Sequence, residues 1–297
     1  MDGIPAASRG VLYPTRLPTF HREPAEGDVA TFVRWFWIPE WDLEPGRTSR
    51  QHLIGFPAVN LVIENGTVGI AGPTTRSSVR DLTGTGWAVG ALLRPAATPA
   101  IVEHVGLIRD RYDEVDLPDL AAAVGSAMNT DAPSSQRRRA AIAAVTDWLL
   151  HRLDAPTDEA LLANRMLETA ETDREVRTVG DLAARLRVST RSLQRLAATY
   201  VGVPPSALIR RRRLQEAAER IRQDPGLDLT RLAHEYGYAD HAHLTNDFRT
   251  ALGFTPSGYR HALPRVQTGN RSGASDGSGR HSPTSTVSRQ GRTRAVR

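Results

Sequence analysis

Hydrophobic residues are spaced in two different ways along this chain. Up to about Arg94 they fall in short runs rich in aromatic and β-branched side chains, and beyond Pro95 they recur three and four residues apart. The first spacing is that of strands and the second that of helix faces. The strand-like stretches are ATFVRWFWI (Ala30–Ile38), PAVNLVIENGTVGIAG (Pro57–Gly72) and LTGTGWAVGALLRP (Leu82–Pro95). In the second stretch Asn65-Gly66 separates two apolar runs. Both residues tolerate positive φ, so the pair predicts a two-residue hairpin. Together these runs predict a small antiparallel β-domain, curled as a barrel or sandwich. After Pro95 the spacing predicts helices over 97–106, 117–129, Gln136–Leu153 and Thr157–Thr172, with breaks at Asp131–Ser135 and Asp154–Pro156.

The back half contains a repeat of about fifty residues within 178–263. Leu182-Ala183 recurs as Leu232-Ala233 and Val188 as Tyr238. With one extra residue in the second turn, Leu193 recurs as Leu244, Gly202 as Gly253 and Pro205 as Pro256. Each copy reads as a short helix, a tight turn, and a longer helix stopped by glycine, which is a helix-turn-helix with a C-terminal stop. Local chemistry agrees. Thr178 and Asp181 have the capping-box spacing, and Ser189 and Asp240 are suited to cap the two longer helices. On the first of these, Leu193, Leu196, Ala197 and Tyr200 share one face while Arg191, Gln194 and Arg195 share another. On the second, Leu244, Phe248 and Leu252 form the buried stripe and leave Ala242, Thr245, Asn246 and Arg249 outward.

Charge sharpens this division. Residues 1–174 hold 17 arginines against 23 acidic residues, 175–263 hold 14 against 9, and 264–297 hold 7 against 1. A basic back half predicts a polyanionic partner for that half. All 38 basic residues are arginine, which excludes Schiff-base and P-loop lysine chemistry, and zero cysteines exclude disulfides, thiolate zinc sites and cysteine nucleophiles. No apolar run approaches a transmembrane length and the first residues lack a secretory pattern, so a cytoplasmic protein is expected, without membrane association. From Thr268 on, a Ser/Gly/Arg-rich stretch has almost nothing to bury and is expected to be a disordered basic tail.

The segments LAARLRVSTRSLQRL (Leu182–Leu196), RLQEAAERI (Arg213–Ile221) and LAHEYGYADHAHLTNDFRTALGFTPSGYR (Leu232–Arg260) resemble the AraC/XylS-type transcriptional regulators, with Gly237-Tyr238, Phe248, Gly253 and Pro256 in the family's places. A weaker likeness runs through VRWFW, FPAVNLVIENG, AGPTTR and the Gly90…Arg94-Pro95 stretch to the β-rich N-terminal domain of one branch of those regulators. The resemblance implies two helix-turn-helix units joined by a long helix, a small-molecule effector or dimerisation role for the front domain, and a homodimer. It places DNA contacts on Thr190, Arg191, Gln194 and Arg195 of the first unit and on His241, Ala242, Thr245, Asn246 and Arg249 of the second. Three positions depart from the family: Arg187 where glycine is common, His241 where near relatives have glutamine, and Asn246 where they have arginine. A left-handed turn at Arg187 costs roughly 1 kcal/mol without glycine.

Blander readings stand beside these. His241 and His243 are two residues apart and face different sides of a helix, whereas paired helical zinc ligands need i, i+4 spacing, so no metal is expected there. His21, His52 and His104 raise a metal-dependent cupin enzyme fused to a DNA-binding domain as the alternative, but they match no compact ligand motif, and no cofactor is expected. Trp35, Trp37, Trp41 and Phe56 read as core before pocket lining. Arg210–Arg213 span a helical turn and divide between phosphate contacts and ion pairs, and Arg137–Arg139 read as a solvated helix start. The expected fold class is α+β multidomain: a β-rich, barrel- or cupin-like domain over 1–130, a helical linker over 131–174, an all-α double helix-turn-helix domain over 175–263, and the tail over 264–297. The expected function is a sequence-specific, ligand-responsive transcriptional regulator that reads two major-groove segments about one turn, roughly 34 Å, apart, and not an enzyme.

Overall fold

A computed structural model describes residues 19–64 and 66–262; the basic tail and Asn65 lie outside the described residues. Among the described residues eight strands precede most of the helices: β1 (Thr19–Pro24), β2 (Val33–Asp42), β3 (Thr48–Leu53), β4 (Asn60–Glu64), β5 (Thr67–Ala71), β6 (Ser78–Thr83), β7 (Thr85–Leu93) and β8 (Tyr112–Val115). Six form one antiparallel sheet in the order β1-β2-β7-β4-β5-β8, and β3 pairs with β6 as a separate ribbon. The front domain is thus β-rich as expected, with an open main sheet whose edges among the described residues are β1 and β8. Strands β4 and β5 form the expected hairpin, with Glu64 opposite Thr67 and Gly66 at φ 80°.

Helices follow as α1 (Thr98–Ile101), α2 (Pro118–Met128), α3 (Ser134–Arg152) and α4 (Asp158–Thr172). The expected helix over 97–106 is broken into short turns, because the backbone turns extended at Val102 (φ −139°, ψ 116°) and ends α1 there. One core joins Phe36, Ile38, Leu61, Ile63 and Val89 of the sheet to Leu120, Val124, Met128, Val145 and Leu149, so α2 and α3 pack on the sheet. Arg137 and Arg138 of α3 both bind Glu40 of β2, at 2.7 and 2.9 Å. They are not a solvated helix start, because the strand supplies a carboxylate the local sequence does not show. On the other side of the sheet, Arg80 of β6 reaches Glu64 of β4 at 2.5 Å and ties the ribbon down.

Helix α4 sides with the C-terminal half. Its Ala163, Met166, Leu167 and Ala170 enter a second core with Leu182, Leu193, Leu196 and Tyr200. The remaining helices are α5 (Val179–Leu186), α6 (Thr190–Tyr200), α7 (Pro205–Gln223), α8 (Leu229–Glu235), α9 (His241–Leu252) and α10 (Pro256–Ala262). A third core gathers Leu214, Ala217 and Ile221 of α7 with Leu232, Tyr238, Leu244, Phe248 and Leu252. Long α7 therefore spans two units, each with its own apolar centre.

Candidate nucleic-acid interface

The two units are built by the same backbone chemistry. In the first, the amide of Val188 donates to Ala183 O at 3.0 Å, and in the second Tyr238 donates to Ala233 O at 2.9 Å. Each turn needs one left-handed residue: Gly237 at φ 68° in the second unit and Arg187 at φ 58° in the first. The first unit thus keeps the turn without the usual glycine. Both longer helices stop at left-handed glycines, Gly202 at φ 76° and Gly253 at φ 81°.

Caps fix where each helix begins. Thr178 and Asp181 form a reciprocal capping box on α5. The Asp181 carboxylate is held below the usual range chiefly by the amide of Thr178, then by the amide of Arg177. Ser189 Oγ accepts from the Ser192 amide at 3.0 Å and opens α6. Asp240 Oδ1 accepts from the His243 amide at 2.7 Å and opens α9.

These caps leave a polar free face on each longer helix. On α6, Thr190, Arg191, Gln194 and Arg195 are all exposed, while Leu193, Leu196, Ala197 and Tyr200 are buried. On α9, Ala242, Asn246 and Arg249 are exposed and His241 and Thr245 half-buried, the latter two with Nε2 and Oγ1 3.4 Å apart. His243 is exposed yet meets Tyr238 edge-to-face at 5.1 Å, a helix-packing contact. Among the described residues no group of three His, Cys, Asp or Glu is placed to hold a metal.

A match to the family described as "Helix-turn-helix domain" covers residues 182–262. Two HTH-type transcriptional activators named RhaS, from Pectobacterium carotovorum and Pectobacterium atrosepticum, are 34% and 33% identical to this chain over 82 residues. The C-terminal domain belongs to the AraC/XylS-type helix-turn-helix family. The shared stretch is 28% of this chain and 29% of each relative, so this chain spans under a third of their length. Ahead of the AraC-type domain, residues 21–110 match a "Domain of unknown function (DUF6597)". Among solved structures, apo ToxT from Vibrio cholerae aligns with a TM-score of 0.40 at 11% identity, covering 82% of this chain and 100% of that one. The AraC-like transcriptional activator CuxR aligns with a TM-score of 0.20 at 14% identity, covering 67% and 87%.

The arginines of the AraC-type domain do not all face outward. Arg195 pairs with Glu159 of α4 at 2.9 Å. In the run on α7, Arg210 stands 3.8 Å from Asp247 and is the one left exposed. Arg211 turns to the front domain, where it donates to Gly55 O at 3.0 Å and lies 4.2 Å from the centre of the Phe56 ring. Burial pulls its guanidinium down to about 10, with Glu171 acting the other way and Arg34 adding to the drop. Arg212 is buried on the carbonyls of Asp173 and Val176, and Arg213 donates to Tyr236 O at 2.6 Å. The division expected within this run favours internal contacts because α7 packs against α4, α9 and α10.

The aromatics of the front domain are likewise occupied. Trp37 donates to Asn60 Oδ1 at 3.0 Å and Trp41 to Thr83 O at 3.2 Å. Trp35 meets Phe56 edge-to-face at 5.4 Å, and Arg22 and Arg34 stack on Trp35 at 4.6 and 4.5 Å. Reading the sequence missed Glu159, Glu171 and Arg34 as neighbours of the C-terminal domain. Nothing local marks them, since each meets its partner across a long loop of chain.

Proposed function

We propose that this chain is a sequence-specific DNA-binding transcriptional regulator whose helices α6 and α9 enter successive major-groove segments on one face of the duplex. The observation that carries the reading is the duplicated helix-turn-helix with capped longer helices, each showing a polar, hydrogen-bonding face to solvent. Arg191 and Arg195 can each donate twice to guanine O6 and N7, and Gln194 can pair with adenine N6 and N7. Thr190, His241, Ala242, Thr245, Asn246 and Arg249 complete the contact surface. Exposed Arg210 is a phosphate contact. The β-rich front domain senses a small-molecule effector or mediates homodimer formation, and the protein works in the cytoplasm. Its chemistry is binding and not turnover.

The test is Arg195→Ala against Arg210→Ala. Arg195 makes no core contact, so its loss should change stability by at most ~0.5 kcal/mol. It should cost ~1–3 kcal/mol of discrimination at one base pair. Arg210→Ala should weaken all sequences alike and flatten the salt dependence by about one phosphate contact. Affinities are measured over single-base variants of a duplex selected by the wild-type chain, at two salt concentrations. An equal loss on every variant for Arg195→Ala would make Arg195 a phosphate anchor and not a base reader.

A further inference from the structure

We infer that Glu159, which precedes the helix-turn-helix domain, is a specificity-determining residue: its carboxylate screens the Arg195 guanidinium from DNA phosphates while leaving it able to reach a base edge. The inference rests on the reading of α6 as a helix that enters the major groove.

Arg195 Nη2 lies 2.9 Å from Glu159 Oε1, and the two side chains are 67% and 41% exposed. An ion pair this open to water contributes little to folding, because the dielectric is high and two long side chains must be held still. A structural reason for the pair is therefore weak. Arg191, one turn earlier on the same free face, forms no ion pair with a described residue. Glu159 sits in the first turn of α4, where the helix start favours a carboxylate, and Thr157 caps that turn by accepting from the Ala160 amide. The carboxylate is thus placed by an ordered helix end, 36 residues away in sequence from the guanidinium it meets.

A duplex offers an arginine two kinds of acceptor. Phosphates attract it over long distance through net charge, and that attraction is the same for every sequence. A guanine edge attracts it over short distance through directed hydrogen bonds. An adjacent carboxylate cancels most of the net charge but occupies only part of the five-donor guanidinium fork. It therefore weakens the sequence-independent attraction more than the base contact, and the ratio between them rises.

Helix α4 shares a core with α6, which sets this carboxylate beside Arg195, and it is also tied to the front domain. Asn164 of α4 accepts from the Ala96 amide at 2.9 Å and donates to Thr31 O at 2.8 Å, and Glu171 at the other end of α4 pairs with Arg34 of β2. A rearrangement of the β-domain that shifts α4 against α6 changes the Glu159–Arg195 contact.

The experiment measures affinity for a random-sequence duplex and for a duplex selected by the wild-type chain from a randomised pool, over a salt series. Glu159→Gln should bind the random duplex on the order of fivefold more tightly, with a log–log salt slope steeper by about one. The selected duplex should gain less, so discrimination falls. In an Arg195→Ala background, Glu159→Gln should have less than half that effect. Equal gains on both duplexes, an undiminished gain without Arg195, or no change at all would each overturn the role given to Glu159. A wild-type chain that selects no sequence from the pool would instead overturn the recognition-helix reading, and this inference with it.

Discussion

At the scale of single residues, the two left-handed turn positions are the most informative pair in the molecule. Gly237 takes φ 68° with no penalty, whereas Arg187 holds φ 58° against the clash between its Cβ and the following carbonyl. The turn survives because the amides of Arg187 and Val188 both find helix carbonyls, at 3.1 and 3.0 Å. Arg187→Gly relieves the clash but gives the unfolded chain more freedom, and these effects oppose each other. The relief is the larger, so urea unfolding should show a gain of ~0.5–1 kcal/mol. A loss of stability would show that the Arg187 side chain makes a contact worth more than the strain.

At the scale of elements, helix α5 depends on the charge of one carboxylate. Asp181 accepts from the amides of Thr178 and Arg177 at 2.8 and 2.9 Å, and these bonds hold its pKa below the usual range. The folded pKa lies beneath the unfolded one, so the cap contributes fully above about pH 4 and is lost as pH falls through the folded value. The protection of the α5 amides, corrected for the intrinsic slowing of exchange in acid, should therefore fall on acidification. Asp181→Asn should flatten that acid dependence. An α5 that opens at the same pH in both proteins would put its stability elsewhere, in the Leu182 and Ala183 packing.

At the scale of the whole molecule, the front domain and the AraC-type domain are joined by buried charge. Glu171 of α4 meets Arg34 of β2 and Arg211 of α7, with side chains 8%, 25% and 11% exposed. Phe56 lies beneath both arginines, which stand 5.7 and 4.2 Å from its ring centre. Removing one partner from such a cluster strands the rest. Arg211→Ala should lower stability by about 3 kcal/mol in urea unfolding. A loss under about 1 kcal/mol would mean that Arg34 alone satisfies Glu171. A second link runs from the Ser77 amide to the Thr250 carbonyl at 3.2 Å, one of the last carbonyls of α9 that its own helix leaves unpaired. Both longer helices are in this way within reach of the front domain, α9 through Ser77 and α6 through α4.

Local rules decided the elements. The β4–β5 hairpin, the capping box at Thr178, the caps at Ser189 and Asp240, the glycine stops and the buried stripe of each longer helix depend on neighbours within a few residues, so spacing and side-chain type sufficed to place them. So did the doubled unit, whose repeat is written in the chain. What spacing could not supply is which remote group each arginine meets. Arg137 and Arg138 find Glu40, Arg195 finds Glu159, and Arg211 finds Glu171 and the Gly55 carbonyl. Every arginine carries the same charge and the same reach, and only the packing of α3, α4 and α7 brings one particular acceptor within 4 Å. The openness of the main sheet was undecided for the same reason, because alternation fixes which face of a strand is buried and not which strand lies beside it.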